Sequence, residues 1–237
     1  MTVPARPYDW PLSGTPGPAD TALILIDMQI DFCGEGGFAH QAGSDFALLQ
    51  ATIAPTRRVL RAFRAAGHFI LHTREGHRPD LSDLNDNKRW RSARAGAEIG
   101  SPGPCGRMLT RGEPGWQIVP ELVPLPTEPV IDKPGKGAFH ATDLDHLLRR
   151  RGIRNLVFAG VTSDCCVHTT MSEACDRGYD CLLLEDCTAS VLTAHHATIL
   201  NLTLRDHGLF GAVTTSTAVL EALPAPTNAP SGAPDPL

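Results

Sequence analysis

The sequence has 237 residues, 42% of them hydrophobic and 20% charged, and a formal net charge of −5. This length and composition are typical of one α/β domain with a full core, and the acidic balance excludes the strongly basic surface of most nucleic-acid-binding proteins. No apolar run approaches the roughly 18 residues that a membrane-spanning helix requires, so the sequence predicts neither a nucleic acid nor a membrane as partner.

The seven cysteines form no disulfide or zinc pattern. Their number is odd, and the one close pair, Cys165–Cys166, is adjacent rather than spaced as C-x-x-C. The first residues, MTVPARPYDWPLSG, do not resemble a secretory leader. We therefore expect reduced thiols and a cytoplasmic location.

Both ends of the sequence differ in composition from the middle. Residues 1–20 hold five of the 20 prolines and are predicted to be an N-terminal arm. Residues 223–237 are rich in proline and alanine and are predicted to be a flexible tail. The domain between them is expected to span residues 21–222.

Short apolar runs alternate with amphipathic stretches in the first half of this domain. Residues 21–28 predict a buried strand, and residues 68–75 predict a second one. Between them, residues 44–67 predict a helix despite Pro55. A long excursion rich in proline and glycine follows over residues 76–123, and irregular stretches of this length are more often functional than not.

The second half of the domain repeats the alternation. Strands are predicted over residues 128–134, 155–161 and 180–186, and helices over residues 141–152, 164–178 and 195–208, followed by a short strand or helical turn over residues 211–223. Such alternation predicts a mainly parallel sheet that is covered by helices on both faces. The expected fold is an α/β, three-layer α/β/α sandwich.

Reactive side chains lie at the carboxyl ends of three of the predicted strands: Asp27, Lys133 and the pair Cys165–Cys166. In an open parallel sheet, sites lie beyond the carboxyl ends of the strands, so the topology can bring these groups to one edge. A thiol in the first turn of a helix is stabilised as a thiolate by the helix N-terminus, and a nearby ammonium acts in the same direction. A carboxylate such as that of Asp27 can then take the thiol proton.

Each of these residues also has an ordinary structural interpretation. An aspartate at a strand end is often a turn or capping residue, a lysine is often a solvated charge, and a buried cysteine is often a small core residue. The hypothesis of catalysis therefore depends on their convergence rather than on any one of them.

The segments LILIDMQIDFC, VIDKPGKGAF and GVTSDCCVHTT, in this order, resemble the isochorismatase-like cysteine hydrolase superfamily. The resemblance covers about residues 23–212. It implies that Asp27 is a general base, Lys133 its charged partner and Cys166 the nucleophile, with Cys165 at a variable position. Neighbouring side chains on a helix point about 100° apart, so only one of the two cysteines is expected to face the pocket.

The same resemblance implies further features of the site. Members of the superfamily carry a cis peptide bond before the nucleophile, here Val161–Thr162, and the N–H groups of Thr162 and Cys166 would hold the oxyanion. Members are usually dimers or tetramers, so a homo-oligomer is expected. We expect no cofactor.

Two further segments, HTREGHRPDLSDLNDNKRWRS and GPCGRMLTRGEPGW, are most similar to the branch that contains biuret hydrolase and ureidoacrylate amidohydrolase. That branch implies cysteine-dependent hydrolysis of a C–N bond in a small, biuret-like ureide, with release of ammonia. Asp206 stands where biuret hydrolases have a substrate-binding glutamine, so triuret, ureidoacrylate and N-carbamoyl amino acids are alternative substrates. Substrate contacts are expected from Phe32, Arg74, Glu75, Lys136 and Asp206.

No metal site is expected. Nicotinamidases of the same superfamily bind a metal through an early Asp/His cluster, and this sequence has only HTREGH in that region. The ten histidines, including the pair His195–His196, lack the spacing of metal ligands and are interpreted as solvated.

Three other interpretations explain fewer of these residues. A non-catalytic binding or oligomerisation module on the same fold would give the reactive residues no role. An NAD-dependent dehydrogenase would require G-x-G-x-x-G after the first strand, and DFCGEGGFAH lacks that register. A thiol-redox protein that acts through Cys165–Cys166 would leave Asp27 and Lys133 unexplained.

Overall fold

The computed structural model describes residues 2–223, and a six-stranded parallel sheet runs through their centre. The strands are β1 (Thr21–Ile26), β2 (Phe69–Glu75), β3 (Pro102–Gly103), β4 (Gly106–Arg107), β5 (Val130–Lys133), β6 (Asn155–Val161), β7 (Asp180–Ala189) and β8 (Ala212–Thr214). The sheet has the order β5-β2-β1-β6-β7-β8, and β3 and β4 form a separate antiparallel hairpin. Each neighbouring pair in the large sheet is parallel, so all six carboxyl ends lie at one edge.

Helices cover both faces of this sheet. They are α1 (Ile30–Cys33), α2 (Phe38–Gln41), α3 (Phe46–Gln50), α4 (Ile53–Ala65), α5 (Asp86–Arg94), α6 (Leu144–Arg150), α7 (His168–Asp176), α8 (Thr193–Gly208) and α9 (Ser216–Ala222). One apolar layer joins the sheet to α3, α4 and α9, and a second layer joins it to α6, α7 and α8. The predicted three-layer α/β/α sandwich is thereby confirmed.

Strand β1 shows why the centre of the sheet is apolar throughout. All six of its residues are buried. Leu23 and Leu25 belong to one apolar layer, and Ile24 and Ile26 belong to the other, as the alternation of side chains along a strand requires. A strand that is covered on both faces reads as a continuous apolar run, which is the pattern of this segment.

The helix predicted over residues 44–67 is in fact two helices. Helix α3 ends at Gln50 and α4 begins at Ile53, so Pro55 is the third residue of α4. The first N–H groups of a helix have no partner within the helix, so the missing N–H of proline is tolerated there. The break thus places Pro55 in a first turn rather than in a helix interior.

The excursion over residues 76–123 contains α5, the β3–β4 hairpin and two 3-10 turns, Pro114–Trp116 and Pro120–Leu122. Helix α5 begins after Asn85, whose side chain accepts a hydrogen bond of 2.8 Å from the N–H of Lys88. This N-cap fixes the start of α5 and the position of Lys88 in its first turn.

The segment before β1 packs against the domain. The backbones of Val3 and Trp10 pair with each other, and both side chains are buried. Arg6 forms two antiparallel backbone bonds with Val213 of β8, of 2.9 and 2.8 Å. Arg6 therefore pairs with the free edge of β8, whose backbone groups at Val213 would otherwise be unpaired.

The C-terminal part contains both elements that the sequence offered as alternatives, the strand β8 and the helix α9. Helix α8 begins at Thr193, and its end leaves the helical conformation, with positive φ angles at Asp206 and His207. The predicted tail lies outside the described residues except for Leu223. No helix described between residues 2 and 223 is long and apolar enough to cross a bilayer.

Candidate active site

Four ionisable side chains meet at the carboxyl edge of the sheet: Asp27, Glu75, Lys133 and Cys166. We call them the carboxyl-edge cluster. The Nζ atom of Lys133 lies 2.7 Å from Asp27 Oδ2 and 3.4 Å from Glu75 Oε2. Cys166 Sγ lies 3.2 Å from the same Glu75 oxygen. All four residues are buried, and Asp27 and Lys133 have no exposed surface.

The strand order explains this convergence. Strands β5, β2 and β1 are neighbours, and Lys133 stands directly opposite Glu75 in the parallel register. Asp27 follows the last residue of β1 and has a φ of 49°, which turns the chain out of the sheet at this point. Strand β6 lies on the other side of β1 and leads into the turn that carries Cys166.

Asp27 is held from the neighbouring strand. The hydroxyl of Thr73 in β2 donates a hydrogen bond of 2.6 Å to Asp27 Oδ1, and it accepts one of 3.1 Å from the Asp27 N–H. These two bonds fix the carboxylate with Oδ2 next to Lys133. Burial raises the pKa of Asp27 above its ordinary value, although the Lys133 charge opposes this shift.

The ammonium of Lys133 is tied to the backbone as well as to carboxylates. It donates to the carbonyl oxygens of Gly135 at 3.0 Å and Lys136 at 2.9 Å. Burial alone would lower the pKa of Lys133, but the nearby charges of Asp27 and Glu75 raise it above its ordinary value. Lys133 therefore remains charged at neutral pH and neutralises part of the buried negative charge.

Glu75 belongs to two ion pairs. Its Oε1 atom lies 2.5 Å from Lys88 Nζ, and Lys88 also donates to the Pro134 carbonyl at 2.8 Å. Burial would raise the pKa of Glu75, but the charges of Lys133 and Lys88 lower it to about 2. Glu75 is thus ionised at neutral pH and can accept a hydrogen bond from the Cys166 thiol.

Cys166 keeps its proton in the resting protein. Contact with the Cys165 thiol and burial both raise the pKa of Cys166 well above its ordinary value, and the Lys133 charge only partly offsets them. A thiol of this kind becomes a nucleophile when a neighbouring base removes its proton. Asp27 offers such a base, because an oxygen of its buried carboxylate lies within 4.8 Å of Cys166 Sγ.

Glu75 and Cys166 of the cluster line a cavity of about 280 Å³. This volume is near the lower end of the range for ligand pockets in proteins. Five of the residues predicted for the site line it: Phe32, Glu75, Lys136, Thr162 and Cys166. The peptide bond Val161–Thr162 is cis, and Val161 itself is buried beneath the cavity wall.

Arg74 and Asp206, both predicted to contact substrate, lie elsewhere. Arg74 alternates with Glu75 along β2, so its side chain points away from the cavity, where it pairs with Asp132 and stacks on Trp116. Asp206 is exposed at the end of α8 and pairs with its neighbour Arg205. Neither residue lines the cavity of this chain.

The expectation that only one of the adjacent cysteines faces the pocket is wrong. Cys165 and Cys166 both line the cavity. The expectation assumed α-helical geometry, whereas residues 163–167 form a π-helical turn and α7 begins only at His168. A π-helical turn is wider than an α-helical one and changes the angle between neighbouring side chains.

Sequence reasoning missed several residues that position the site. Thr73 and Lys88 contact Asp27 and Glu75 directly. The histidines interpreted as solvated are also involved, because His196 Nδ1 lies 3.0 Å from Ser163 Oγ and His195 Nδ1 lies 3.1 Å from Asp164 Oδ2, both on the π-helical turn. Of these residues, only Lys88 stood out in the sequence, because it lies in a basic stretch. The residue that it contacts could not be predicted from the sequence.

Three potential metal ligands meet in the same place. Ligand atoms of Asp27, Glu75 and Cys166 lie within 4.8 Å of one another. The Lys133 ammonium already lies 2.7 and 3.4 Å from the two carboxylates. It supplies the positive charge that a cation would otherwise bring to these groups.

Comparisons with known proteins agree with this geometry. Residues 21–218 match the family model described as the isochorismatase domain. The ureidoacrylate amidohydrolase RutB of Agrobacterium fabrum is 34% identical over 191 residues, which cover 79% of this chain and 82% of that protein. The protein of the same name from an Enterobacter species is 32% identical and covers 95% of this chain and 97% of its own length.

A solved structure extends the comparison to the fold. The crystal structure of a cysteine hydrolase from Pseudomonas syringae pv. phaseolicola superposes with a TM-score of 0.75 at 25% sequence identity. The match covers 94% of this chain and 97% of that one.

Proposed function

The chain belongs to the isochorismatase-like cysteine hydrolase family, and we propose that it hydrolyses a C–N bond in a small ureide through a thioester at Cys166. The observation that carries this proposal is the position of the Cys166 thiol at the cavity wall, beside Glu75 and near the Asp27–Lys133 ion pair. This set provides a nucleophile, a base and a fixed positive charge in one buried place.

The first step is attack on the carbonyl. Asp27 takes the Cys166 proton, and the sulfur forms a bond to the carbonyl carbon as the C=O electron pair moves to oxygen. The N–H groups of Thr162 and Cys166 hold this oxyanion. Because the pKa of Asp27 is raised, its carboxyl group can keep the proton until the leaving nitrogen needs it.

The next steps release both products. Collapse of the tetrahedral intermediate breaks the C–N bond, and Asp27 returns its proton to the departing ammonia. Asp27 then takes a proton from water, whose oxygen attacks the thioester. The C–S bond breaks, and Asp27 returns this proton to the Cys166 sulfur. Lys133 stays charged throughout and keeps Asp27 ionised before each of the two nucleophilic attacks.

Glu75 has a different role in this scheme. It is ionised and already holds the thiol at 3.2 Å, so it orients Cys166 before the attack. Lys88 fixes its other oxygen. After the thiol has lost its proton, Glu75 can accept an N–H of the substrate instead.

The cavity favours a small and flat substrate. Phe32 offers an apolar wall, and Glu75 and Lys136 offer an acceptor and a donor for amide and carbonyl groups. A biuret-like ureide has this shape and this hydrogen-bonding pattern. Triuret shares the same groups and is the neutral alternative.

A second candidate is an acidic ureide. Lys136 and Arg91 add positive charge to the cavity wall, which favours a carboxylate on the substrate. Ureidoacrylate and N-carbamoyl amino acids carry such a group, and the curated relatives reported above are ureidoacrylate amidohydrolases. We further propose that the protein is cytoplasmic and that it forms a homodimer or homotetramer. Light scattering of the purified protein would give the number of subunits.

Ammonia release from a substrate panel tests the proposal. The panel contains biuret, triuret, ureidoacrylate, an N-carbamoyl amino acid and nicotinamide, and we expect turnover of at least one ureide and none of nicotinamide. Cys166→Ala should abolish turnover, whereas Cys175→Ser, outside the cavity, should keep it. A folded wild-type protein that hydrolyses no ureide, or a Cys166→Ala variant as active as wild type, would favour the non-catalytic module instead.

A further inference from the structure

The loop that follows β5, residues 134–138, carries part of the site, and we call it the β5 loop. The carbonyl oxygens of Gly135 and Lys136 accept hydrogen bonds of 3.0 and 2.9 Å from the Lys133 ammonium. The Lys136 side chain lines the cavity. A displacement of this loop would therefore move the acceptors of the Lys133 ammonium together with part of the cavity wall.

One side chain of α7 ties the β5 loop to the turn that carries the nucleophile. The hydroxyl of Thr170 donates a hydrogen bond of 2.7 Å to the Cys166 carbonyl and accepts one of 3.0 Å from the Ala138 N–H. Neither Thr170 nor Ala138 has exposed surface. The Thr170 hydroxyl thus forms a bridge of two buried hydrogen bonds between the β5 loop and the π-helical turn.

The β5 loop is also packed against α7. A Cβ atom added to Gly137 would lie 3.1 Å from Thr169 Cγ2, so the loop backbone passes close to this helix. Ala138 and Met171 belong to the same apolar layer. The Thr170 hydroxyl therefore joins two segments that are in direct contact, and its bonds are shielded from water.

A buried threonine of α8 shows what is unusual about Thr170. The hydroxyl of Thr203 donates a hydrogen bond of 2.9 Å to the Ile199 carbonyl, four residues earlier in the same helix, which is a common arrangement. Thr203 is as buried as Thr170. Among the described residues, however, only the Thr170 hydroxyl of these two accepts an N–H from another segment. That second bond is the feature that a role in helix stability leaves unexplained.

We propose that Thr170 is a positioning residue for the reaction at Cys166, because its hydroxyl holds the β5 loop, and with it the Lys133 ammonium, beside the nucleophile. Without this bridge the loop carbonyls no longer direct the ammonium toward the thiol. The effect on the thiol itself does not depend on the proposed hydrolysis, whereas the effect on turnover rests on it.

The ionisation of Cys166 reports this positioning without a substrate. The groups whose charges act on the thiol are Asp27, Glu75 and Lys133 of the carboxyl-edge cluster, with Cys165 and Lys136 as neighbours. Within the cluster, only the Lys133 charge favours the thiolate. A weaker contact with Lys133 should therefore move the alkylation of Cys166 to higher pH. A residue that only stabilises the fold would not move this midpoint in molecules that remain folded.

Alkylation of the full chain by iodoacetamide over a range of pH tests the proposal. A substoichiometric dose labels most molecules at most once, and tandem mass spectrometry assigns the label to Cys166 within the peptide 155–177, which also contains Cys165 and Cys175. In Thr170→Val, we expect the midpoint of Cys166 labelling to rise by about half a pH unit or more. On a ureide that wild type hydrolyses, kcat should fall about tenfold, with a smaller change in KM.

Matched variants separate positioning from stability. Thr170→Ser keeps the hydroxyl and should have a labelling midpoint and a kcat close to those of wild type. Thr203→Val removes an equally buried hydroxyl from α8 and should lower stability to urea without changing the midpoint. Thr170→Ala removes the hydroxyl without adding a methyl group in its place, so it gives the same readout if the valine variant does not fold.

The midpoint of Cys166 labelling decides the outcome. The proposal is wrong if a folded variant without the Thr170 hydroxyl labels Cys166 at the wild-type midpoint. It is also wrong if Thr203→Val raises the midpoint as much, or if Thr170→Ser does not restore it. A raised midpoint in a protein that hydrolyses no ureide would support the positioning of the thiol by Thr170 and contradict the proposed function, so the two failures are distinguishable.

Discussion

Strands β2 and β5 carry two buried ionic clusters, one near each end of their pairing. At the carboxyl end lie Glu75 and Lys133 of the carboxyl-edge cluster. Near the start of β5, Glu128 binds Arg64 of α4 and His72 of β2, and we call this set the amino-edge cluster. Both clusters are built from the same pair of strands, yet their protons behave differently.

In the amino-edge cluster each charge has a partner. Arg64 contacts both oxygens of Glu128, at 2.7 and 2.8 Å, and His72 Nε2 lies 2.9 Å from the same carboxylate. Burial alone would raise the pKa of Glu128, but these bonds lower it to about 2, and burial lowers the pKa of His72. At neutral pH the carboxylate is ionised and the imidazole is neutral, so no proton is free to move.

In the carboxyl-edge cluster two acidic groups tend to keep protons. The pKa values of Asp27 and Cys166 are both raised, and they share the cluster with Glu75 and a single lysine whose pKa is also raised. Glu75 and Cys166 of this cluster line the cavity described above, whereas Arg64 and Glu128 of the amino-edge cluster line a separate pocket. Burial of charged groups therefore does not by itself indicate a reactive site. A carboxyl group and a thiol that are buried together and have raised pKa values do indicate one.

The largest effect is expected from removing the ammonium of the carboxyl-edge cluster. In Lys133→Met, Asp27 and Glu75 lose their shared counter-charge, the pKa of Asp27 rises further, and the base is protonated at neutral pH. Turnover should fall by about a hundredfold or more, measured as kcat on whichever ureide the wild type hydrolyses. Arg58→Met, which removes an exposed cation on α4, is the control and should keep its rate. A Lys133→Met variant with near-normal kcat would contradict the distinction drawn between the clusters.

A smaller effect, on stability rather than rate, is expected from the amino-edge cluster. Glu128→Gln leaves Arg64 and His72 without their carboxylate and should lower the free energy of unfolding by about 2 kcal/mol at pH 7. The folded-state pKa of Glu128 lies below its unfolded value, so this contribution is present above about pH 4.5 and is lost as the pH falls toward about 2. Urea unfolding at pH 7 and pH 3 measures the difference.

A control variant and a contradicting result can be named for this prediction. Glu121→Gln, at an exposed glutamate, should leave the free energy of unfolding nearly unchanged. Activity per folded Glu128→Gln molecule should match wild type, since the amino-edge cluster takes no part in the reaction. A pH-independent difference between wild type and variant would show that Glu128 stabilises the fold by packing rather than by charge.

The smallest effect is expected from Asp31, a fourth buried carboxylate, which has no cation beside it. Asp31 in α1 accepts hydrogen bonds from the N–H groups of Phe38 at 3.2 Å and Leu109 at 2.9 Å, and both of these residues line the cavity. Burial raises the pKa of Asp31 to about 6. Above this pH the carboxylate can accept both bonds, and below it one of them weakens.

Asp31→Asn tests whether such a carboxylate positions the cavity wall. The amide can accept one N–H but presents its own N–H to the other, so KM should rise about fivefold, or ~1 kcal/mol, with a smaller change in kcat. The wild-type rise in KM as the pH falls through about 6 should be absent from the variant. Asp45→Asn is the exposed control. An unchanged KM with an unchanged pH profile would assign Asp31 to stability alone.

The sequence by itself determined the layered α/β architecture. Continuous apolar runs such as that of β1 can be buried only in a sheet that is covered on both faces, and the amphipathic stretches between them supply the cover. It also placed Asp27, Lys133 and Cys166 at or just beyond the carboxyl ends of strands, and in a parallel sheet these ends meet at one edge. These inferences needed only local patterns and one topological rule.

Only the tertiary structure decided what surrounds those residues. The contacts of Glu75 with Lys133, Lys88 and Cys166 join segments that lie far apart in the chain, and no local pattern specifies such pairs. The π-helical turn brought Cys165 into the cavity, whereas alternation along β2 turned Arg74 away from it. A local pattern determines whether a segment forms a helix or a strand. The direction in which each side chain points, and the residue that it contacts, depend on strand register and packing, which the whole fold determines.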